Sequence, residues 1–267
     1  MFNTYDIRSS ALASKTLAEL SGVSISTWKK CAVYKKEYEK TDAFLKKIIN
    51  SYGHFPRKYT DLDFVYFHIT TSANGCKAIK KYGILDLRQA YMCEESELRL
   101  FLNQHGVYID LDNCCLTYNG SKYDISFHAG SCPRDNTKEY HCWMVGRKFY
   151  DDYATCGFLS VDQSPYGGQV HRRPEILKDI DNLLDLDLSG EWKKFYSPYE
   201  ITAKVSGNDI VYRGDDSDDD RDRVLTYLTT AYDSAFKSQD EVVLLMKSGV
   251  QILPKRVMRI EPIAFWV

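Results

Sequence analysis

The sequence predicts an α+β protein with a helical N-terminal extension. The first 52 residues carry helical periodicity, and the residues after them form short aromatic and β-branched runs separated by turn signals. Regular crossover helices do not separate those runs. Because a parallel doubly wound sheet needs such helices, we expect the strands to pair mainly as antiparallel neighbours.

The N-terminal region predicts helices that pack on a core through one face. Apolar residues at positions 44, 45, 48, 49 and 52 form a stripe at helical spacing, with lysines between them. Gly53 and Pro56 interrupt this pattern, which is typical of a linker over residues 51–61. We therefore predict a helical region over residues 1–58 and an α+β domain over residues 59–267.

The second region opens with a strand followed by two helices. Residues 64–69 are aromatic and β-branched, which predicts a strand. Residues 70–82 have helical spacing, and Gly83 is a natural end for that helix. Another short helix is predicted over residues 94–103.

Hairpins and further helices complete the predicted elements. The strongest hairpin signal is Asn119-Gly120, which joins strands predicted at 115–118 and 122–127. A second hairpin is expected around residues 206–209. The other predicted elements are helices at 147–155, after Pro174 and at 221–236, and strands at 157–161, 241–246, 250–253 and 258–263.

Composition excludes several classes of protein. A chain of 267 residues with 44% hydrophobic content can bury a full core, and a charged fraction of 27% is ordinary for a folded protein. No stretch has the ~18 apolar residues of a membrane helix, and the N-terminus lacks the layout of a secretory signal. We therefore expect a cytoplasmic protein without a membrane partner.

Charge and cysteine patterns narrow the function classes. Residues 26–58 hold nine Lys or Arg against three acids, a balance that suits phosphates or an acidic partner. The eight cysteines include no CxxC pair, so no metal site is expected. The acidic run at 215–220 leaves open one weaker interpretation, a hydrolase or nuclease that holds a metal there.

Two segments at opposite ends of the second region carry a more specific pattern. Common phosphate-binding and hydrolase motifs such as GxGxxG, GxxxxGK[ST], HExxH and GxSxG are missing from the sequence. The first segment, residues 64–91, contains an H-x-T sequence at 68–70, a helix ending in Lys-Tyr-Gly, and then Arg88. The second, residues 238–263, opens a strand with a Q-x-E sequence at 239–241.

This pair of segments resembles the ADP-ribosyltransferase superfamily, in which a strand-borne His starts the domain and a Glu in [QE]-x-E starts a strand near its end. The first segment looks most like the DarT-type, DNA-targeting branch. The resemblance covers two blocks of the chain and implies an ADP-ribosyltransferase-like split antiparallel sheet. It also implies mono-ADP-ribosyltransferase activity with NAD+ as the substrate and without a metal.

The resemblance implies a role for each matching residue. Glu241 would bond the ribose 2′-hydroxyl and place its charge near the reacting carbon, and Gln239 would position the acceptor. His68 would bond the nicotinamide ribose, and Thr70 would fix the nicotinamide end. Arg88 would meet the pyrophosphate or shape the base pocket. Cleavage of the glycosidic bond of NAD+ develops positive charge on the ribose, so this chemistry needs a fixed negative group.

The middle motif of the superfamily, which packs on the nicotinamide, has no clear match. Tyr153, Tyr108 and Ser160 are the candidates, and Tyr153 is favoured because it lies between the two better motifs. Tyr66 and Tyr91, within the first segment and near its H-x-T sequence, are secondary candidates for stacking. The distance in sequence between the two blocks also exceeds what compact members of the superfamily need.

The resemblance leaves the acceptor open among protein, DNA and RNA. It is compatible with a toxin or phage-defence effector and with an antitoxin or immunity partner. The alternative is a non-catalytic nucleic-acid-binding module that uses the basic N-terminal helical arm. In that case, charge reversal at four lysines of the arm would remove salt-dependent binding (Lys35, Lys36, Lys46 and Lys47).

Overall fold

The structure, a computed structural model, describes residues 3–36, 39–56, 58–160, 170–212, 219–238 and 240–263. Helices and sheet strands are mixed along the chain, in agreement with the predicted α+β class. The described helices are α1 (Ser10–Ser21), α2 (Ile25–Tyr34), α3 (Thr41–Tyr52), α4 (Lys77–Tyr82), α5 (Leu87–Met92), α6 (Glu97–Gln104), α7 (Lys138–Tyr150), α8 (Glu175–Leu184), α9 (Leu188–Phe195) and α10 (Asp220–Phe236).

The described strands form two sheets. They are β1 (Thr4–Tyr5), β2 (Asp63–Ser72), β3 (Tyr108–Asp110), β4 (Cys115–Tyr118), β5 (Ser121–Asp124), β6 (Cys156–Ser160), β7 (Ser197–Ser206), β8 (Val242–Leu245) and β9 (Val257–Pro262). The larger sheet has the order β8-β6-β2-β7-β9, with β1 parallel to β2. Its strand β6 runs antiparallel to both neighbours: Phe158 pairs with Phe67 of β2, and Gly157 pairs with Leu244 of β8.

The smaller sheet has the order β3-β4-β5 and contains the hairpin predicted at Asn119-Gly120. Both turn residues have positive φ, 48° and 75°, as a two-residue turn between twisted strands requires. Tyr118 and Ser121 pair directly on either side of the turn. The hairpin prediction is therefore confirmed.

Side-chain caps explain where many of the helices begin. Each cap oxygen accepts a hydrogen bond from an otherwise unpaired amide of the first turn, as Ser9, Ser24, Ser96, Thr137 and Asp219 do. At α5, Asp86 and Gln89 form a reciprocal capping box. Because each of these bonds joins residues that are close in sequence, the helix starts can be predicted from neighbouring residues.

The predicted helix at 70–82 begins later than expected. β2 continues to Ser72, and α4 begins only at Lys77. The intervening turn is held by side chains, because the Ser72 hydroxyl accepts the amide of Cys76 at 2.8 Å and the Asn74 side chain accepts that of Lys77 at 3.0 Å. The predicted helix at 147–155 is also misplaced, since α7 ends at Tyr150.

The hairpin predicted around residues 206–209 is wrong, because Ile210 forms a bridge with Met246 instead of pairing beside β7. Of the strand predicted at 250–253, only Ile252 pairs among the described residues, in an isolated bridge with Ile84. Both partners lie far away in sequence, so no local pattern indicated either bridge.

The chain divides into two compact units. Unit 1 comprises Met1–His68, Cys156–Ser164 and Thr202–Met246, and unit 2 comprises Ile69–Thr155, Pro165–Ile201 and Lys247–Val267. Strands β2 and β7 contribute residues to both. The boundary predicted between residues 58 and 59 lies inside unit 1, and the division into a helical region and a catalytic domain stays a prediction.

The core of unit 1 joins the N-terminal helices to α10 and the sheet. Helix α1 packs along α10, and a cluster of aromatic rings connects β1, β2 and α10. In that cluster the rings of Phe64 and Tyr227 have centroids 4.7 Å apart, and the Tyr5 hydroxyl donates to the Tyr227 carbonyl oxygen at 2.9 Å. The N-terminal helices therefore share a core with residues from the C-terminal part of the chain.

The core of unit 2 is built around Trp192. Its ring stacks on Tyr196 with centroids 3.5 Å apart and meets the edge of Phe101 at 4.9 Å. Apolar residues of α6, α7 and α8 and of the smaller sheet complete the cluster. Burial of aromatic rings at this density contributes strongly to stability.

Candidate functional site

His68 lies on β2 in unit 1, and its side chain is oriented by the neighbouring strand. Its Nδ1 atom is 2.8 Å from the carbonyl oxygen of Cys156. Because a carbonyl oxygen only accepts hydrogen bonds, Nδ1 carries the proton and Nε2 presents a lone pair. Burial lowers the pKa of His68, with the bond to Cys156 acting in the opposite direction. A neutral His68 with an accepting Nε2 suits a hydroxyl donor.

This assignment predicts a pH dependence. Since the folded-state pKa of His68 lies below the unfolded value of about 6.5, the unfolded chain binds the proton more readily. The His68 contribution to the unfolding free energy is therefore complete above about pH 6.5 and is lost as the pH falls through the folded-state pKa. We expect His68→Gln to reduce the loss of stability between about pH 7 and pH 5, measured by urea unfolding. Equal pH profiles for wild type and His68→Gln would contradict the assignment.

The position opposite His68 requires glycine. By the register of β2 and β6, Gly157 faces His68 across the strands. A Cβ atom at position 157 would overlap the ring of Tyr66, which covers this glycine. The Tyr66 hydroxyl is buried and has no hydrogen-bond partner among the described residues, and burial raises its pKa well above the ordinary value.

The secondary stacking candidates Tyr66 and Tyr91 are both buried. The ring of Tyr66 lies against Gly157, and that of Tyr91 meets Phe149 edge-on at 5.9 Å. The Tyr91 hydroxyl accepts the amide of Ile109 at 2.6 Å. Both rings thus have packing roles.

Glu241 lies directly before β8, also in unit 1, and its side chain is exposed. The backbone beside it is anchored, because the buried Ser160 hydroxyl donates to the Asp240 carbonyl oxygen at 2.6 Å. This bond gives Ser160, a candidate for the nicotinamide motif, a structural function. Gln239 lies outside the described residues.

The strand register sets the distance between His68 and Glu241. The row of His68 continues through Gly157 to Leu244, so Glu241 lies three residues further along. With strand spacings of about 4.8 Å and a rise of about 3.3 Å per residue, the two Cα atoms are roughly 14 Å apart. His68 therefore lies on one strand that flanks β6 and Glu241 lies directly before the other, too far apart to hold the same atom of a ligand.

In unit 2, the structure brings together Arg88 and Tyr153, which the sequence indicated separately. The Arg88 guanidinium carbon lies 5.6 Å from the Tyr153 ring centroid and 5.1 Å from that of Tyr150. The Arg88 side chain also donates to the Phe149 carbonyl oxygen at 3.4 Å. Within the described part of the chain no carboxylate pairs with Arg88. Its guanidinium instead contacts uncharged groups, the two tyrosine rings and the backbone carbonyl.

Thr70 and Tyr108 also belong to unit 2 but have different surroundings. Thr70 is a half-buried residue of β2. Tyr108 is 53% exposed on β3, where it pairs with Thr117. The ring beside Arg88 is that of Tyr153 rather than that of Tyr108.

Tyr150 and Cys156 are the neighbours that the sequence did not indicate. Tyr150 lies three residues before Tyr153, and this spacing of two aromatic residues is its available signal. Cys156 acts through its backbone carbonyl, which has no residue-specific signal. Such a contact becomes visible only when β6 is placed beside β2.

The described residues offer no metal centre and no membrane span. They contain no group of three or more His, Cys, Asp or Glu side chains placed to hold a metal ion. Of the acidic run at 215–220, the first four residues lie outside the described part, while Asp219 caps α10 and Asp220 begins it. Among the described helices, none combines the length and apolar content needed to cross a bilayer.

Comparison with protein-family models, with curated proteins and with solved structures found no match for this chain.

Proposed function

We propose that this chain is a mono-ADP-ribosyltransferase that transfers ADP-ribose from NAD+ to a macromolecular acceptor, on an ADP-ribosyltransferase-like fold. The observation that carries the proposal is the placement of His68 and Glu241 in one compact unit, beside the two strands that flank β6. Their Cα atoms are roughly 14 Å apart, so the two side chains are proposed to contact different atoms of one bound NAD+. A toxin or phage-defence effector with an antitoxin or immunity partner is part of the same proposal.

Glu241 has the catalytic role in this proposal. The bond between the ribose C1′ and the nicotinamide nitrogen breaks, and nicotinamide leaves as a neutral molecule with the bonding electron pair. Positive charge then develops on the ribose, where a fixed carboxylate stabilises it. A nucleophilic atom of the acceptor bonds to C1′ and releases its proton to solvent. Gln239, two residues before Glu241, is proposed to position that acceptor.

The other residues bind NAD+ in this proposal. Each is assigned a role from the surroundings of its side chain in its own unit. The accepting Nε2 of His68 suits a ribose hydroxyl. Arg88 has no carboxylate partner in the described part of the chain, so it is suited to the pyrophosphate. Tyr153 and Thr70 are assigned to the nicotinamide, and the exposed ring of Tyr108 is the second aromatic candidate.

Incubation of the purified chain with NAD+ labelled in its ADP-ribose part tests the proposal. Protein, DNA and RNA pools are supplied separately, and both free nicotinamide and transferred label are measured. We expect nicotinamide release and label in one of the pools. Without release in any pool and without NAD+ binding in calorimetry, the proposal fails.

A second candidate function, binding of single-stranded nucleic acid, is supported by one face of α2. Trp28 is the buried residue of this helix, which is described in full. Val33 and Tyr34 are 81% and 83% exposed, and Lys29 and Lys30 point away from the core beside them. An exposed aromatic ring next to lysines is the combination that stacks a base and meets its phosphates.

The structure changes which lysines best test this candidate. Lys46 pairs with Asp222 at 3.0 Å, and the Lys35 ammonium donates to the Glu39 carbonyl oxygen at 2.6 Å. Charge reversal at either position would disturb an internal bond as well as the surface charge. Lys29 and Lys30 are exposed neighbours on the face itself.

We therefore expect the double variant Lys29→Glu, Lys30→Glu to weaken binding of a single-stranded oligonucleotide if α2 is the binding face. Loss of two phosphate contacts should lower the slope of log K against log salt by about 1.4. The control Lys193→Glu, Lys194→Glu reverses an equally adjacent pair on α9. Equal losses in both variants, measured by fluorescence anisotropy, would show that only net charge matters.

A further inference from the structure

The end of β2 is held by a carboxylate from another helix. Glu97, in the first turn of α6, accepts the Ser72 hydroxyl at 2.6 Å through one oxygen and the Ala73 amide at 2.7 Å through the other. Ser72 is buried, and Glu97 is half-buried. Both oxygens of one carboxylate therefore hold consecutive residues of a single segment, and hydrogen bonds to a charged acceptor are the stronger ones.

The same contact orders the turn that follows β2. The Ser72 hydroxyl donates its hydrogen bond to Glu97. The lone pairs of the same Ser72 oxygen therefore accept the amides of Cys76 at 2.8 Å and Asn74 at 3.2 Å. Cys76 has a φ of 59°, a conformation that a residue other than glycine keeps only when its surroundings impose it. Glu97 thus accepts hydrogen bonds from the start of a network that spans residues 72–77.

A second hydrogen bond holds Thr71, and the side chain that donates it packs against α6. The buried Trp192 donates its ring N–H to the Thr71 hydroxyl at 2.8 Å. Phe101, one turn after Glu97 on α6, packs edge-on against the Trp192 ring. Helix α6 therefore supports the positions of Thr71, Ser72 and Ala73, the three residues directly after Thr70.

We propose that Glu97 is a positioning residue for Thr70, acting through the end of β2 without touching the substrate itself. This inference rests on the proposed function, in which Thr70 fixes the nicotinamide end of NAD+. A strand end held at three successive residues keeps the Thr70 hydroxyl in one place. Release of that end would let Thr70 move, and binding of NAD+ would weaken.

Steady-state kinetics of nicotinamide release test the inference. We expect Glu97→Ala to raise KM for NAD+ by about tenfold, with a smaller change in kcat per folded molecule. Glu97→Gln keeps one accepting oxygen, which can take either the Ser72 hydroxyl or the Ala73 amide but not both, so its KM should lie between those of wild type and Glu97→Ala. The control is Glu94→Ala, an exposed acid three residues earlier, and it should leave KM unchanged.

The possible outcomes separate this inference from the proposed function. If wild type neither binds NAD+ nor releases nicotinamide, the proposed function fails and the inference fails with it. If wild type is active while both Glu97 variants keep the wild-type KM and merely unfold more easily, only the positioning role is overturned. Should Glu97→Ala not fold, the KM of Glu97→Gln decides between these outcomes.

Discussion

Replacement of Glu241 by Gln is expected to lower the rate of nicotinamide release by about 10²–10³-fold, the usual effect of removing one group that stabilises transition-state charge. Gln has nearly the same shape as Glu and keeps a hydrogen-bonding oxygen, so the change removes mainly the negative charge. Because Glu241 is exposed, we expect the unfolding midpoint to stay close to that of wild type. Quenched-flow or coupled assays of nicotinamide release against NAD+ concentration measure the effect, which should fall on kcat more than on KM.

The matched control for this prediction is Asp240→Asn. It removes the same charge one residue earlier, where the Asp240 side chain accepts the Ser238 hydroxyl at 3.1 Å. Its carbonyl oxygen, which receives the Ser160 hydroxyl, is unchanged by the substitution. We expect Asp240→Asn to keep most of the activity. Activity that persists in Glu241→Gln would remove Glu241 from the mechanism and leave nucleic-acid binding by α2 as the better proposal.

Replacement of Gly83 by Ala is expected to destabilise the chain by about 3–5 kcal/mol, since it combines backbone strain with overlap of packed atoms. Gly83 ends α4 with φ 82° and ψ −167°, a region that glycine alone enters readily. A Cβ atom there would overlap the carbonyl oxygen of Ile252. That oxygen accepts the amide of Ile84 at 2.9 Å, so the bridge between the two isoleucines cannot shift without losing its bonds.

Gly106→Ala is the control for the overlap. Gly106 also has a positive φ, 72°, but no atom lies within 4 Å of the place where its Cβ would be. Its destabilisation should stay at about 1–2 kcal/mol, the usual strain of a left-handed conformation. Urea unfolding of both variants gives the difference in unfolding free energy. Equal destabilisation would mean that the backbone at Ile252 moves away without loss, and that Gly83 matters only for its φ.

The elements that could be predicted are those whose signals lie within a few residues. Asn119-Gly120 indicates its hairpin because both residues tolerate positive φ, and Gly83 ends α4 as expected. The start of β2 follows from its aromatic and β-branched residues. Propensity and turn chemistry are properties of adjacent residues, so a sequence displays them directly.

The end of β2 was not predicted correctly from local sequence signals. Thr71 and Ser72 are polar, and the sequence pattern assigned them to a helix. The structure keeps them in the strand and buries them, because Trp192 and Glu97 supply hydrogen-bond partners from distant parts of the chain. A buried polar side chain is stable only with such partners, and their positions depend on the whole fold.

The candidate site divides in the same way. The family resemblance indicated His68, Glu241, Arg88 and Tyr153, and the order of helical and strand patterns predicted the α+β class. Only the tertiary structure decided that the Cys156 carbonyl selects the tautomer of His68 and that Arg88 lies beside Tyr153. The reason is physical: composition and periodicity act through neighbouring residues, whereas a tautomer or an unpaired charge depends on atoms that distant segments bring within a few ångströms.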